Sequence, residues 1–357
     1  MRVVFVGLSV TSSWGNGHAT NFRGLMSALD ARGHDVLFLE RDVPWYAEHR
    51  DLPAPPYGRT SLYASVDELR EAHAGDVADA DAVVVGSYVP DGIEVGAWVQ
   101  QTARGVTAFY DIDTPVTLAA LDRGSCEYLT TELVPGYDLY LSFTGGPTLE
   151  RIERQLGSPR ARAFYCLVDA DAYAPRDLPR TWDLGYLGTY SDDRQPALDA
   201  LLLEPARRTP EGSYVVAGPQ YPPDIAWPHN VERIDHLPPA EHPGFYNAQR
   251  LTLNVTRADM VAAGWSPSVR LFEAAACGVP VVSDWWDGLD AFFRPGTEIL
   301  VARSPEEVLQ HMRETDDDRR TAMGAAARAR VLAEHTAQHR AEELEQHVAA
   351  LLTAGSR

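Results

Sequence analysis

The sequence contains no lysine. All 31 of its Lys+Arg residues are arginine, so a cationic contact to a phosphate has to come from arginine, histidine or a helix N-terminus. Cysteine is scarce: Cys126, Cys166 and Cys277 are odd in number and far apart. That excludes a disulfide framework and a zinc knuckle and leaves three small apolar side chains. No run reaches the roughly 18 uninterrupted apolar residues of a membrane span, so no integral membrane segment is expected. The opening MRVVFVGLSV is not followed by a clean small-residue cleavage site and reads as a first strand rather than a signal peptide. A cytoplasmic protein is the expectation. Positive charge is in deficit overall, with a net charge of −20. A surface this acidic repels nucleic acid and anionic membranes, and neither is expected as a partner.

What is present is ample apolar material. The 357 residues, 45% of them hydrophobic, can fill two cores of ordinary size. Short apolar runs without alternation occur at 2–7, 35–40, 82–87, 106–111, 138–143 and 161–168. They predict strands covered on both faces, and a helix is expected at 19–32. Residues 171–181, with Pro175 and Pro179 and no period, read as a linker. A second series follows at 182–188, 213–218, 231–237, 251–257, 279–284 and 298–302, with helices at 304–315 and 318–334. The expected division is a domain at 1–170, a second at 182–335, and a C-terminal helix and tail at 336–357. That helix has a packing face of Ala341, Leu344, Val348 and Leu351. Strand–helix repetition of this kind gives two doubly wound α/β domains, whose ligands sit at the C-terminal ends of the strands.

The loops after the strands are therefore the places to look. The first carries Gly15, Asn16, Gly17 and His18 before a helix, and Glu40 ends the next strand. This imitates a dinucleotide fingerprint, but Gly15 lies about eight residues beyond Gly7 and the third glycine position is Thr20. The loop instead offers backbone N–H groups to a phosphate or sugar hydroxyl, with His18 as a base or donor and plain capping as the alternative. Asp111 and Asp113, two apart at a strand end, are expected to point the same way and to bind hydroxyls or take a proton. Asp113 could equally cap the turn at Pro115. No third ligand makes them a metal site. Thr144 and Gly145 follow another strand. In the second series Gly188, Thr189 and Arg194, then Gly218, then Asn254 and Arg257, leave successive strands along one sheet edge.

The most informative stretch is SPSVRLFEAAACGVPVVSDWW from Ser266. Ser266 is expected to cap a helix whose first residue is Pro267 and whose stop is Gly278. Its faces are small or apolar apart from Arg270 and Glu273. These two either pair with each other or face a ligand near the helix's positive end. In the second case Arg270 meets a pyrophosphate and Glu273 accepts both hydroxyls of a ribose.

GWSPSVRLFEAAACGVPVVSD resembles the donor-binding segment of GT-B glycosyltransferases. The likeness is to the CgeB-like (spore maturation protein) group and, more distantly, to the family 4 retaining enzymes. YDIDTPVTL, YLSFTGGPTLERI, YLGTYSDDRQPAL, VAGPQYP, FYNAQRLTLNVTRADM and SDWWDGLDAFF are similar to the same group, over roughly 1–335. The resemblance implies two Rossmann-like domains facing a cleft, the first on the acceptor side and the second holding a nucleotide-diphosphate sugar. It implies Glu273 on the ribose, Arg270, Arg194 and Gly188 at the phosphates, and His236, Leu237 and Tyr246 near the base. Ser266 and Ser268 belong to the same donor segment. Related retaining enzymes carry a glutamate eight positions before the second one; here that position is Trp265, on the sugar side with Asn254. The implied activity is a metal-independent, cofactor-free and retaining transfer to a small-molecule or glycan acceptor, with Asp113, His18 and Arg270 as catalytic candidates. Gly15, Asn16, Gly17, Asp111, Thr144 and Gly145 are acceptor-side or sugar-side candidates. A homodimer is compatible with the reading. The alternatives are a nucleotide-sugar epimerase on the same fold and a protein that binds a sugar nucleotide without turning it over.

Overall fold

The structure is a computed structural model and describes residues 1–355. The described residues form two compact units, 1–167 with 337–355, and 168–336.

The first unit is built on seven parallel strands: β1 (Arg2–Gly7), β2 (Asp35–Arg41), β3 (Arg59–Tyr63), β4 (Ala82–Gly86), β5 (Val106–Asp111), β6 (Leu139–Ser142) and β7 (Ala161–Ala163). Their order is β3-β2-β1-β4-β5-β6-β7. Val3, Phe5, Ala82, Val84 and Ala108 face one core layer; Val4, Val6, Val83, Val85 and Phe109 face the other. Burial on both faces is what unalternating apolar runs require of a parallel sheet. β3 has no apolar run in RTSLY and is half-exposed at the sheet edge, so it carries no sequence signal. β7 stops at Ala163, short of the expected 168.

The final helix, Ala337–Gly355, belongs to this first unit. Ala341, Leu344 and Val348 are buried in the same layer as Leu25, Leu29 and Leu167. Arg32 is paired with Glu342 at 3.0 Å and with Glu345 at 2.6 Å, and His34 also meets Glu345.

The second unit has six parallel strands: β8 (Trp182–Leu187), β9 (Tyr214–Ala217), β10 (Val231–Ile234), β11 (Gln249–Asn254), β12 (Val281–Ser283) and β13 (Leu300–Val301). Their order is β10-β9-β8-β11-β12-β13. Residues 169–181 contain no helix or strand and lie in this unit. Each sheet reverses its winding once, between β1 and β4 in the first unit and between β8 and β11 in the second. At such a reversal adjacent loops leave the sheet in opposite directions and open a crevice at the strands' C-terminal ends.

Candidate functional site

The reversal in the first unit gathers the loops after β1, β4 and β5. The loop after β1 is held from beneath by Glu40, at the end of β2 and fully buried. Its carboxylate accepts from Ser9 Oγ (2.9 Å), Val10 N (2.7 Å), Thr11 N (3.0 Å) and Thr11 Oγ1 (2.6 Å). Glu40 therefore fixes loop shape. Asn16 caps the helix Gly17–Ala31, accepting from His18 N at 3.0 Å. The capping alternative is the one realised for Asn16. Gly15 stands at φ +61°, a left-handed turn that favours glycine.

The helix then delivers His18 to Asp113: Nε2 and Oδ2 are 2.8 Å apart. The His18 side chain is 9% exposed and that of Asp113 is 38%. Nδ1 of His18 is buried without a hydrogen-bond partner. A bare lone pair is the cheaper orphan there, so Nε2 carries the proton and donates it to the carboxylate. Asp113 begins the helix Thr114–Asp122, but its side chain makes no cap bond.

Asp111 corrects an expectation. It does not point outward with Asp113. The strand ends at Asp111 and the chain turns, so the two-residue periodicity lapses. Asp111 is fully buried, accepting from Thr117 Oγ1 (2.7 Å), Tyr140 OH (2.6 Å) and Asp113 N (3.3 Å). Burial pushes its carboxyl up to about 6 against these bonds. Thr144 is likewise fully buried rather than offered to a ligand. The space beside Gly145 is taken by the protein itself, since a Cβ there would lie 2.0 Å from the Tyr165 hydroxyl.

The reversal in the second unit gathers arginines. Arg194 follows β8, Arg257 follows β11, and Arg270 rises from the helix Val269–Ala276. Arg270 is 7% exposed. Its Nε donates to Leu187 O, its Nη1 to Asn254 Oδ1 at 2.7 Å, and its guanidinium lies 4.6 Å over the Tyr186 ring. Arg194 Nη2 donates to Thr189 O at 2.6 Å, and its buried Nε has no acceptor. Burial first, then the charges of Arg270 and Arg257, push the Arg194 guanidinium down from its ordinary value. Among the described residues none of the three is in an ion pair. Asp284, whose carboxyl is raised by burial, is turned to Thr256 N (3.0 Å) and Oγ1 (2.8 Å).

Backbone closes tightly around this cluster. A Cβ at Gly188 would come 2.9 Å from Arg270 Nη2, and one at Gly218, which has φ +140°, would come 2.0 Å from Gly188 O. The helix after Ser266 starts later than its serine and proline suggest. Gly264 and Trp265 have φ +64° and +49°, Pro267 keeps its predecessor out of the helical region, and the cap position falls to Ser268. Ser268 Oγ donates to Asn254 Oδ1 at 2.7 Å, so no side chain caps the helix's first N–H groups.

Glu273 is 4% exposed and is not paired with Arg270. It accepts from Tyr246 OH at 2.8 Å, while the Tyr173 hydroxyl lies 3.3 Å from His242 Nδ1. Tyr246 is fully buried. The expectation that it meets a base is corrected, because its hydroxyl is spent on Glu273. His236 is exposed, and Leu237 offers its carbonyl to His242 at 3.1 Å. Among the described residues no group of three or more His, Cys, Asp or Glu is placed to hold a metal ion, and no helix is long and apolar enough to cross a membrane.

Residues 194–346 match a family model described as glycosyl transferase-like. Solved structures resemble nearly the whole chain. The fold is GT-B. Sucrose-phosphate synthase from Thermosynechococcus elongatus is 16% identical with a TM-score of 0.71, over 99% of this chain and 100% of its own. Anabaena HepE in complex with UDP-glucose is 12% identical with a TM-score of 0.71, over 98% and 100%. An alpha-glucosyltransferase in complex with UDP is 12% identical with a TM-score of 0.73, over 98% and 100%. No curated protein sequence matches the chain.

Proposed function

We propose that the protein is a glycosyltransferase that uses a nucleoside diphosphate sugar and that it belongs with the CgeB-like GT-B enzymes. The observation that carries this reading is the convergence of Arg194, Arg257 and Arg270, none paired with a carboxylate, at the winding reversal of the second sheet. Clustered like charges repel one another, and a diphosphate would offset that repulsion. The family match and the UDP and UDP-glucose complexes of similar folds support the same ligand class. Glu273, held by the Tyr246 hydroxyl, is the ribose contact in this reading, and Trp265 lies on the sugar side. Asn254 is fully buried and serves instead as the positioning residue behind Arg270.

In the reaction an acceptor hydroxyl oxygen attacks the anomeric carbon. The bond from that carbon to the diphosphate oxygen breaks, and its electron pair leaves with the nucleoside diphosphate. The arginines stabilise the growing negative charge, which is largest in the transition state. The acceptor's proton passes to Asp113, the outer member of its pair with His18; His18 is a positioning residue behind it. No metal enters this scheme.

A second reading concerns stereochemistry. The resemblance points to retention, whereas a carboxylate built to take the acceptor's proton suits direct displacement with inversion. The anomeric configuration of the first-formed product, read by proton NMR, decides between them. The transferase reading itself is tested by a thermal-shift screen of nucleoside diphosphates, followed by turnover. A ligand at a hundred times its Kd adds about 2.7 kcal/mol of stability. Arg270→Ala is expected to lower kcat about 100-fold or more; an undiminished rate would overturn the scheme. Isomerisation of a sugar nucleotide without acceptor would favour an epimerase, and tight binding without turnover a binding protein.

A further inference from the structure

The turn after β4 contains a strained residue that the chemistry above does not use. Tyr88 has φ +62°. An aromatic residue in the left-handed region is strained, and asparagine or glycine would meet the same turn at less cost. Asp91, three residues on, has φ +55°. Burial does not explain the strain at Tyr88, because the residue is 37% exposed.

The strain has a geometric result. Ser87 N donates to Tyr110 O at 2.9 Å, and Ile112 N donates to Ser87 Oγ at 3.1 Å. These two bonds tie the turn holding Tyr88 to the turn holding Asp113. From there the Tyr88 ring meets the His18 ring edge-on, with centroids 5.6 Å apart, and leans on Tyr128 at 4.6 Å. Tyr128 is itself fixed, with its hydroxyl 2.8 Å from Thr117 Oγ1, which in turn donates to Asp111. A rigid aromatic surface thus stands beside the His18–Asp113 pair, partly open to solvent.

We infer that Tyr88 is a specificity-determining wall of the acceptor subsite. The acceptor it selects is a neutral ring with a flat apolar face and a hydroxyl group. This inference rests on the transferase reading for the word acceptor, but the binding it describes does not need a donor. An aromatic face recognises the flat face of a pyranose or of an arene alike. The carboxylate of Asp113, on the far side of His18, and the net charge of −20 disfavour an anionic partner; Asp91 is already paired with Arg41 at 2.9 Å.

The test is ligand-observed saturation-transfer NMR on the full chain without any sugar nucleotide. The probes are methyl β-glucoside, p-nitrophenyl β-glucoside, phenol and glycerol. The wild type is expected to bind ring probes and not glycerol. Binding of the methyl glycoside would mark a carbohydrate acceptor, and binding of phenol alone an aromatic one. Tyr88→Ala is expected to weaken ring binding about tenfold, while Tyr88→Phe, which keeps the ring, binds as the wild type does. In turnover the loss in Tyr88→Ala is expected in KM rather than in kcat. Equal binding by Tyr88→Ala and wild type would overturn the inference, as would a wild type that does not prefer rings to glycerol. Failure of the transferase reading would appear separately, as absence of any thermal shift with nucleoside diphosphates.

Discussion

Arg270 donates to Asn254 at 2.7 Å and makes no pair with Glu273, three residues along the same helix. The guanidinium is thus oriented by a neutral amide and keeps its charge available. Asn254 is fully engaged: Oδ1 also accepts from Ser268, and Nδ2 donates to Thr256 (3.1 Å) and Ser283 (2.9 Å).

Replacing that amide by a carboxylate is the most selective way to silence the charge. Asn254→Asp would pair Arg270 internally. Pyrophosphate affinity, measured by calorimetry, is expected to fall about tenfold or more, with the circular dichroism spectrum unchanged. Unchanged affinity would mean that Arg270 does not meet the anion.

The charges of Arg257 and Arg270 both act on the buried Arg194 guanidinium and push it down. Arg257→Gln is therefore expected to raise the melting temperature without ligand and to shrink the shift produced by a nucleoside diphosphate. A variant that melts lower and responds fully to the nucleotide would show that Arg257 is a structural residue.

How much of this was legible in the sequence depends on the kind of signal. Buried parallel strands announce themselves through apolar runs, and both sheets follow from them. β3 was not legible, because RTSLY at an edge needs no apolar run. The arginines after β8 and β11 were legible from their loop positions, since a strand's C-terminal end is where a ligand would sit. The inward turn of Asp111 was not, because spacing predicts direction only while the strand continues. Neither was the engagement of Tyr246 with Glu273, which joins residues 27 apart. Tyr88 escaped notice because no local pattern marks a left-handed tyrosine.

The Tyr246–Glu273 contact separates two roles. Tyr246→Phe removes one donor to a buried carboxylate, at a cost of about 1–3 kcal/mol in stability. If Glu273 holds a ribose, the variant should bind a nucleoside diphosphate more weakly and pyrophosphate as well as before. Equal loss for both ligands would assign the effect to disordered arginines, and no loss for either would remove Glu273 from the site.

Asp111 gives a pH prediction whose sign is fixed. Its folded-state carboxyl is raised to about 6 by burial, above the roughly 3.9 of an unfolded chain. The folded protein thus binds the proton more tightly between these values. Asp111's contribution to stability is fullest below about 4 and is lost as pH rises through about 6. Asp111→Asn keeps an acceptor for Thr117 and cannot ionise. Its stability relative to the wild type, from urea unfolding at several pH values, should improve from pH 4 to pH 7, by about 3 kcal/mol at most. A difference that stays flat across that range would mean that the carboxylate is already ionised at pH 4, with the Thr117 and Tyr140 hydroxyls outweighing its burial.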